Sequence, residues 1–292
     1  MWNPLATEKF FNIYNVDSGE KIGSFCNKGR GNMEFVSTGF VYQLFKKDGD
    51  LMTLLNNIHR KEVYVWNISE SINKQTAVYD TIVPHDNNLF LWQFYQHTGS
   101  TFEYKISIKK DEYNTSTPYY EKYNLFTNEL EKSYPLYNVD SVQINSSMVP
   151  LLYSSDAIKS DGSKIAEAMR YFPQINILDT QTGELTGYRT EKNPTFSFID
   201  SNTKALEVFY THVYADDNYI YANYIGEEPI YDPEAPHSNR IHIFDWNGNM
   251  VYELITDLRY SNLWVDPVRN RLYTISGSTK EIYFLDLNEC LQ

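Results

Sequence analysis

The chain has 292 residues, with 38 Asp and Glu against 25 Lys and Arg for a formal charge of −13, and 42% of it is hydrophobic. That apolar fraction suffices for a buried core and argues against intrinsic disorder. The acidity, with Lys and Arg scattered, argues against a protein that tracks nucleic-acid phosphates, which needs a basic patch. No uninterrupted apolar run approaches the roughly 18 to 20 residues of a bilayer-spanning helix.

Aromatic residues make up 16% of the chain, and long Ala/Leu/Glu/Lys stretches are almost absent. Short β-branched and aromatic runs separated by Asn, Asp, Gly and Ser read as strands, so the chain is expected to be all-β. Ser163–Arg170 has helix-favouring composition but follows Asp161-Gly162, and is read as a strand.

In chain order, a phrase of two apolar residues flanking a variable one, then an apolar residue and Asp or Asn, occurs at Phe11–Asn15, Val63–Asn67, Ile175–Asp179, Ile241–Asp245 and Ile282–Asp286, with a weaker copy at Tyr120–Asn124. The closing residues 15, 67, 124, 179, 245 and 286 give a period of about 54. Three copies run into a turn and a second strand: Asp17-Ser-Gly19 then Lys21–Phe25, Asp179–Gly183 then Leu185–Tyr188, and Asp245–Gly248 then Met250–Leu254. Glycine there supplies the positive φ that closes a hairpin. A second repeated phrase, a turn followed by an apolar strand, occurs at Asp48–Met52, Asp86–Phe90, Asp161–Ile165, Asp217–Tyr221 and Arg269–Tyr273.

Two hairpins per unit, repeated, is the logic of a β-propeller blade of four antiparallel strands. The expectation is one six-bladed propeller domain over residues 1–292, with Ile13, Val65, Ile177, Ile243 and Phe284 buried between sheets. Six copies of the first phrase against five of the second leave the first blade incomplete at the N-terminus, and only six residues follow Asp286. The alternative is five blades, with residues 9–25 supplying outer strands to the last. In a closed ring Cys26 and Cys290 fall on adjacent blades. A ring-closing disulfide is then one arrangement, and two free thiols the favoured one, because outer strands of adjacent blades diverge.

Gly19–Phe25 followed by Asn27–Phe35, with Gly29-Arg-Gly31 and Glu34-Phe35, resembles the junction that ends the first blade in TolB-like six-bladed propellers of Bacteroidetes. Ser155–Ala166, Asp217–Gly226 and Ile241–Gly248 are similar to that family's later blades in the same order. Asn32-Met33 stands where the family has Pro-Gly, and the family's upstream strands and export signal are not in this sequence, which implies a shortened chain or a misplaced start. The resemblance implies an exported protein, periplasmic or at the cell surface as a lipoprotein.

Chemical signatures are few. His59, His85, His97, His212, His237 and His242 show no zinc-binding spacing. There is no G-x-S-x-G elbow, and Gly29-Arg30-Gly31 lacks the remainder of a phosphate loop. No organic cofactor and no tightly bound transition metal are expected. A hard-ion site stays open, because scattered carboxylates can build one without a motif. The candidate ligand-binding residues are Arg30 and Glu34 at the first blade junction, also readable as an internal ion pair; His212 on an expected innermost strand, also readable as a packed histidine; and Tyr231 in the long acidic Pro-rich loop Glu227–His237. The function expected is non-enzymatic binding or scaffolding by a monomer with a protein or glycan partner, consistent with the abundance of Tyr and Trp. The alternative is a hydrolase or lactonase using a divalent metal held by Asp, Glu and Asn at the top of a central channel.

Overall fold

A computed structural model describes residues 8–38, 43–84, 91–96, 101–106, 119–124, 127, 129–135, 154–190, 208–227, 238–276, 279 and 281–291. The chain divides into two compact units, Met1–Ile108 with Tyr119–Tyr134, and Lys109–Pro118 with Pro135–Gln292.

In the first unit, β1 (Lys9–Tyr14) and β2 (Lys21–Asn27) form a two-stranded sheet. Four-stranded antiparallel sheets follow from β3 (Phe45–Lys47), β4 (Asp50–Asn57), β5 (Glu62–Asn67) and β6 (Val78–Pro84), and from β7 (Leu91–Gln96), β8 (Thr101–Ile106), β9 (Tyr119–Asn124) and β10 (Glu129–Pro135). In the second unit, β11 (Ser154–Ile158), β12 (Lys164–Met169), β13 (Gln174–Asp179) and β14 (Leu185–Arg189) form a third such sheet. A six-stranded sheet runs β15 (Val208–Ala215), β16 (Tyr219–Glu227), β17 (Ser238–Asp245), β18 (Met250–Asp266), β19 (Arg271–Ser276) and β20 (Ile282–Asp286). The 17-residue β18 explains this sheet: its first half pairs with β17 as a fourth strand, and its second half pairs with β19 as the first strand of the next meander. Four-stranded meanders in nearest-neighbour order are propeller blades. The chain is all-β and propeller-type.

The repeat has a physical meaning in this frame. Every copy of the first phrase lies on a third strand or its counterpart: β5, β9, β13, β17 and β20, with the first on β1. Wherever the following turn is described, the closing side chain caps it. Asn15 Oδ1 accepts from the N–H groups of Asp17 and Ser18, Asp179 Oδ1 from Gln181 and Thr182, and Asp245 Oδ1 from Asn247 and Asn249. Gly19, Gly183 and Gly248 then turn at φ 71°, 80° and 82°. At the other two copies the cap opens a helix: Asn67 caps α1 (Ile68–Lys74), and Asp286 caps α2 (Leu287–Cys290). Helix α1 was not expected. Its signal is in the sequence as Asn67 followed three residues later by Glu70, whose N–H the Asn67 side chain receives at 2.8 Å.

Ser163–Arg170 is a strand, β12. The turn phrases at 48–52, 161–165, 217–221 and 269–273 each join a first to a second strand, while 86–90 lies outside the described residues. Among the described residues only two strands precede residue 33, and β20 runs into α2 with no fourth strand beyond it.

The first unit's core packs Phe11 against Trp66 at 5.2 Å and Phe35 against Tyr64 at 4.9 Å. In the second unit, the alanines Ala157, Ala166 and Ala168 of one sheet meet Phe209, Tyr210, Tyr224, Phe244 and Trp246 of the next, small against large. Trp246 also donates to the Asp216 carbonyl, and Lys164 Nζ to the Trp246 carbonyl. Of the expected core positions, Val65, Ile177 and Ile243 are buried and Ile13 is half-buried. Phe284 is not: it is 52% exposed, and among the described residues no strand pairs with β20 on its far side.

Both cysteines are free thiols. Burial pushes Cys26 up to about 12, whereas Cys290 is exposed. A disulfide reagent is expected to titrate one thiol in the native protein and both after unfolding; two fast-reacting native thiols would contradict the packing of Cys26. Backbone hydrogen bonds from Thr182 and Gln181 hold the Asp179 carboxyl below the usual range. Asp179→Ala is expected to cost about 1–2 kcal/mol in urea unfolding, and Asp179→Asn to retain most of the stability.

Candidate functional site: an aromatic row on the last sheet

The strands β18, β19 and β20 pair in register so that Trp264 lies opposite Tyr273 and Tyr273 opposite Phe284. Because side chains alternate along a strand, these three share one face. Ile275 and Ile282 flank the row on one side, and Asp266, Arg271 and Asp286 on the other. The opposite face carries Leu263, Val265 and Leu272, buried against the preceding meander, which fixes the row's orientation.

Phe284 is 52%, Ile282 56% and Trp264 38% exposed, so an apolar and aromatic strip lies at the surface beside a charged one. The Arg271 guanidinium sits 4.4 Å from the Phe284 ring centroid, and Tyr273 lies 6.0 Å from the same ring. Arg271 Nε and the Tyr273 hydroxyl make no hydrogen bond among the described residues, although both atoms are buried. Against desolvation, hydrogen bonds from Arg269 and from the Arg269 and Val268 N–H groups keep the Asp266 carboxyl below its usual range. The strip thus offers ring faces and a fixed carboxylate. That set suits adsorption of a partner surface, where Trp, Tyr and Arg dominate binding energy.

Of the expected site residues, His212 meets this row at Trp264, whereas Arg30 and Glu34 belong to a loop of the first unit. Arg30 is exposed, and no ion pair joins it to Glu34 among the described residues. Glu34 instead folds back to accept from the Gly31 N–H at 2.7 Å, filling the space where Gly29 and Gly31 have no Cβ. The cation at this loop is Arg60, whose Nη1 donates to the Gly31 carbonyl. His212, on the edge strand β15, is half-buried with Trp264 edge-on at 6.1 Å. Burial lowers its imidazole to about 4, opposed by a hydrogen bond with the Leu263 backbone. Tyr231 lies outside the described residues.

Two polar clusters were missed because their members are scattered in sequence. His242 is 5% exposed; its Nδ1 is 3.0 Å from the Tyr210 hydroxyl, its ring stacks on Tyr224 at 4.0 Å, and its Nε2 is 3.5 Å from Glu253 Oε1. Arg240 hydrogen-bonds Glu253 and lies over Tyr224; this bond, more than the neighbouring His242, lowers the Glu253 pKa. The network ties together strands β15 to β18 of one sheet, with Tyr210 and His242 buried and the Arg240–Glu253 ion pair at the surface. On the other side of the β11–β14 sheet, Asp156, Glu167, Asn176 and Gly187 form one cross-strand row, with Asn176 Nδ2 donating to Glu167 Oε2 at 3.1 Å. The metal-dependent alternative calls for oxygen ligands from several blades, and this row comes from one sheet. No group of three or more His, Cys, Asp or Glu that could hold a metal occurs among the described residues. Among those residues no helix is long and apolar enough to cross a membrane.

No family model and no curated protein sequence matches the chain. Solved structures align with it at low identity. A chain of the mitotic checkpoint complex shares 13% identity at a TM-score of 0.47, covering 97% of this chain and 71% of that one. The Neurospora crassa Pan2 WD40 domain shares 13% at 0.48, covering 85% and 62%. BamB from Moraxella catarrhalis shares 10% at 0.41, covering 93% and 64%. The chain spans less than two thirds of the latter two.

His212 gives a pH test with a definite sign. Its imidazole titrates at about 4 when folded against an ordinary 6.5, so between these values the unfolded chain holds the extra proton. The stability it contributes is present above 6.5 and is lost as pH falls towards 4. After allowance for partial exposure, the loss is expected to be roughly 2 kcal/mol. Urea unfolding from pH 7 to 4 should fall more steeply for the wild type than for His212→Gln; parallel profiles would contradict the assignment.

Proposed function

We propose that the protein is a non-enzymatic binding or scaffolding propeller, six blades in one domain with the first incomplete, that holds a protein or glycan partner on the aromatic row of its last sheet. By its resemblance to TolB-like exported propellers, it works in the periplasm or at the cell surface. The observation that carries the reading is the exposed register of Trp264, Tyr273 and Phe284 with Arg271 and Ile282 beside it. Scattered exposed apolar residues are ordinary, but a contiguous apolar strip rimmed by charge marks an interaction surface. Ring faces next to carboxylates and a guanidinium suit the CH-rich faces and hydroxyls of a sugar as well as a protein's apolar anchors.

The test is a glycan and peptide array probed with the purified chain, followed by calorimetry on any hit. Phe284→Ala and Trp264→Ala are expected to weaken binding at least about tenfold each, as for aromatic anchors of an interface. Phe284→Ala should leave the melting temperature nearly unchanged, since its ring is half exposed. Hits whose affinity ignores both substitutions would place the binding surface elsewhere.

A further inference from the structure

The third strands of the complete sheets are bonded on both sides: β5 by β4 and β6, β13 by β12 and β14, β17 by β16 and β18. Among the described residues strand β20 pairs with β19 alone. Two flanking bonds fix which of its backbone groups face away. Ser276 N–H donates to the Glu281 carbonyl, and Leu287 N–H to the Asn270 carbonyl. Bonded and non-bonded pairs alternate along an antiparallel ladder. Ile282 and Phe284 therefore point their N–H and C=O groups outward, and Asp286 its N–H, while its carbonyl opens α2. These are the residues whose side chains stand on the aromatic face, and Ile282 and Phe284 are more than half exposed.

Protein sheets blunt exposed edges with lysine, proline, bulges or a covering element. From Ile282 to Leu285 this strand is Ile-Tyr-Phe-Leu, with no charge and no proline, in unbroken register with β19. At either end stand the carboxylates of Glu281, Asp286 and Glu289, none with a cationic partner among the described residues. Hydrogen bonds from Tyr283 and Thr279 hold the Glu281 carboxyl below its usual range. The chain as a whole carries −13.

We infer that β20 is completed by strand addition: an extended segment of a partner protein, apolar at alternate positions and flanked by Lys or Arg, docks as the fourth strand of this sheet. This rests on the binding reading above and chooses the protein over the glycan as occupant. Main-chain bonds to Ile282 and Phe284 would supply the pairing, and the aromatic row would receive every second side chain. The flanking carboxylates select basic ends. A second copy of this chain is disfavoured, because β20 paired antiparallel with itself would gather the same acidic ends of two chains that each carry −13.

The probe is a peptide of about eight residues, alternating valine and threonine, with two lysines at each end. It is titrated against the full chain by fluorescence anisotropy, alongside versions N-methylated on alternate residues along one edge or the other and a version with glutamates in place of the lysines. The expected result is binding of the parent peptide, a loss of at least about tenfold on methylating one edge but not the other, and a comparable loss with glutamate ends. Methylation changes no protein residue, so no folding defect can imitate the result. Phe284→Pro, which removes one outward N–H, should abolish binding, and Phe284→Ala should only weaken it. Equal binding of the parent and both methylated peptides, still weakened by Trp264→Ala, would overturn strand addition and leave the aromatic surface standing. No peptide binding alongside glycan hits would do the same. Sedimentation showing a dimer that Phe284→Pro dissociates would overturn the partner strand in favour of a second copy. An absence of every ligand on the arrays would remove the binding reading itself.

Discussion

The interaction on which the rest depends is small: a side-chain oxygen at the end of a third strand accepting backbone N–H groups two to four residues on. Asn15, Asp179 and Asp245 do this before a left-handed glycine, and Asn67 and Asp286 do it at the start of a short helix. The cap fixes where the strand stops, and so which residue of the next strand stands opposite. Since side chains alternate with a period of two, a slip of one residue would turn Ile175 and Ile177 out of the core and Asn176 into it. The caps thus guard the two-faced character of each sheet.

Given that register, the sheets bury both faces by different means. In the second unit one interface sets alanines against aromatic rings, which lets backbones approach closely while large side chains fill the gap. The next sets Ile241 and Ile243 against Leu263, Val265 and Leu272. Polar groups caught between sheets are tied into networks, as with His242, Tyr210 and Glu253, because a buried polar atom without a partner costs more than its hydrogen bond would contribute. These networks stiffen the scaffold. The surface chemistry gathers at β20, a third strand with no fourth among the described residues.

The repeat, its strand assignments and the all-β class are legible in the sequence because they depend on local chemistry: alternation of apolar residues, Asp and Asn caps, and glycine where φ is positive. Helix α1 was equally legible in Asn67 and Glu70 and was masked by the expectation of another hairpin. The same periodic reasoning failed at Phe284, which has the pattern of a core residue. Its exposure is a tertiary fact that apolar periodicity does not report: among the described residues no strand pairs with β20 on its far side. Arg30 and Glu34, four residues apart, suggested an ion pair, but the glycines on either side of Arg30 let the carboxylate fold onto the backbone, and a cation from residue 60 came to the loop instead.

The sequence by itself determined what each residue and its nearest neighbours along the chain settle: strands of period two, capped turns, the blade-type meander and an acidic surface. Only the tertiary structure decided which distant residues meet. The register across β18, β19 and β20 aligns Trp264, Tyr273 and Phe284, and the pairing of β15, β16 and β17 brings Tyr210 to His242. The physical reason is that cross-strand neighbours are set by turn geometry and sheet stacking accumulated over many residues, and no local spacing encodes that sum.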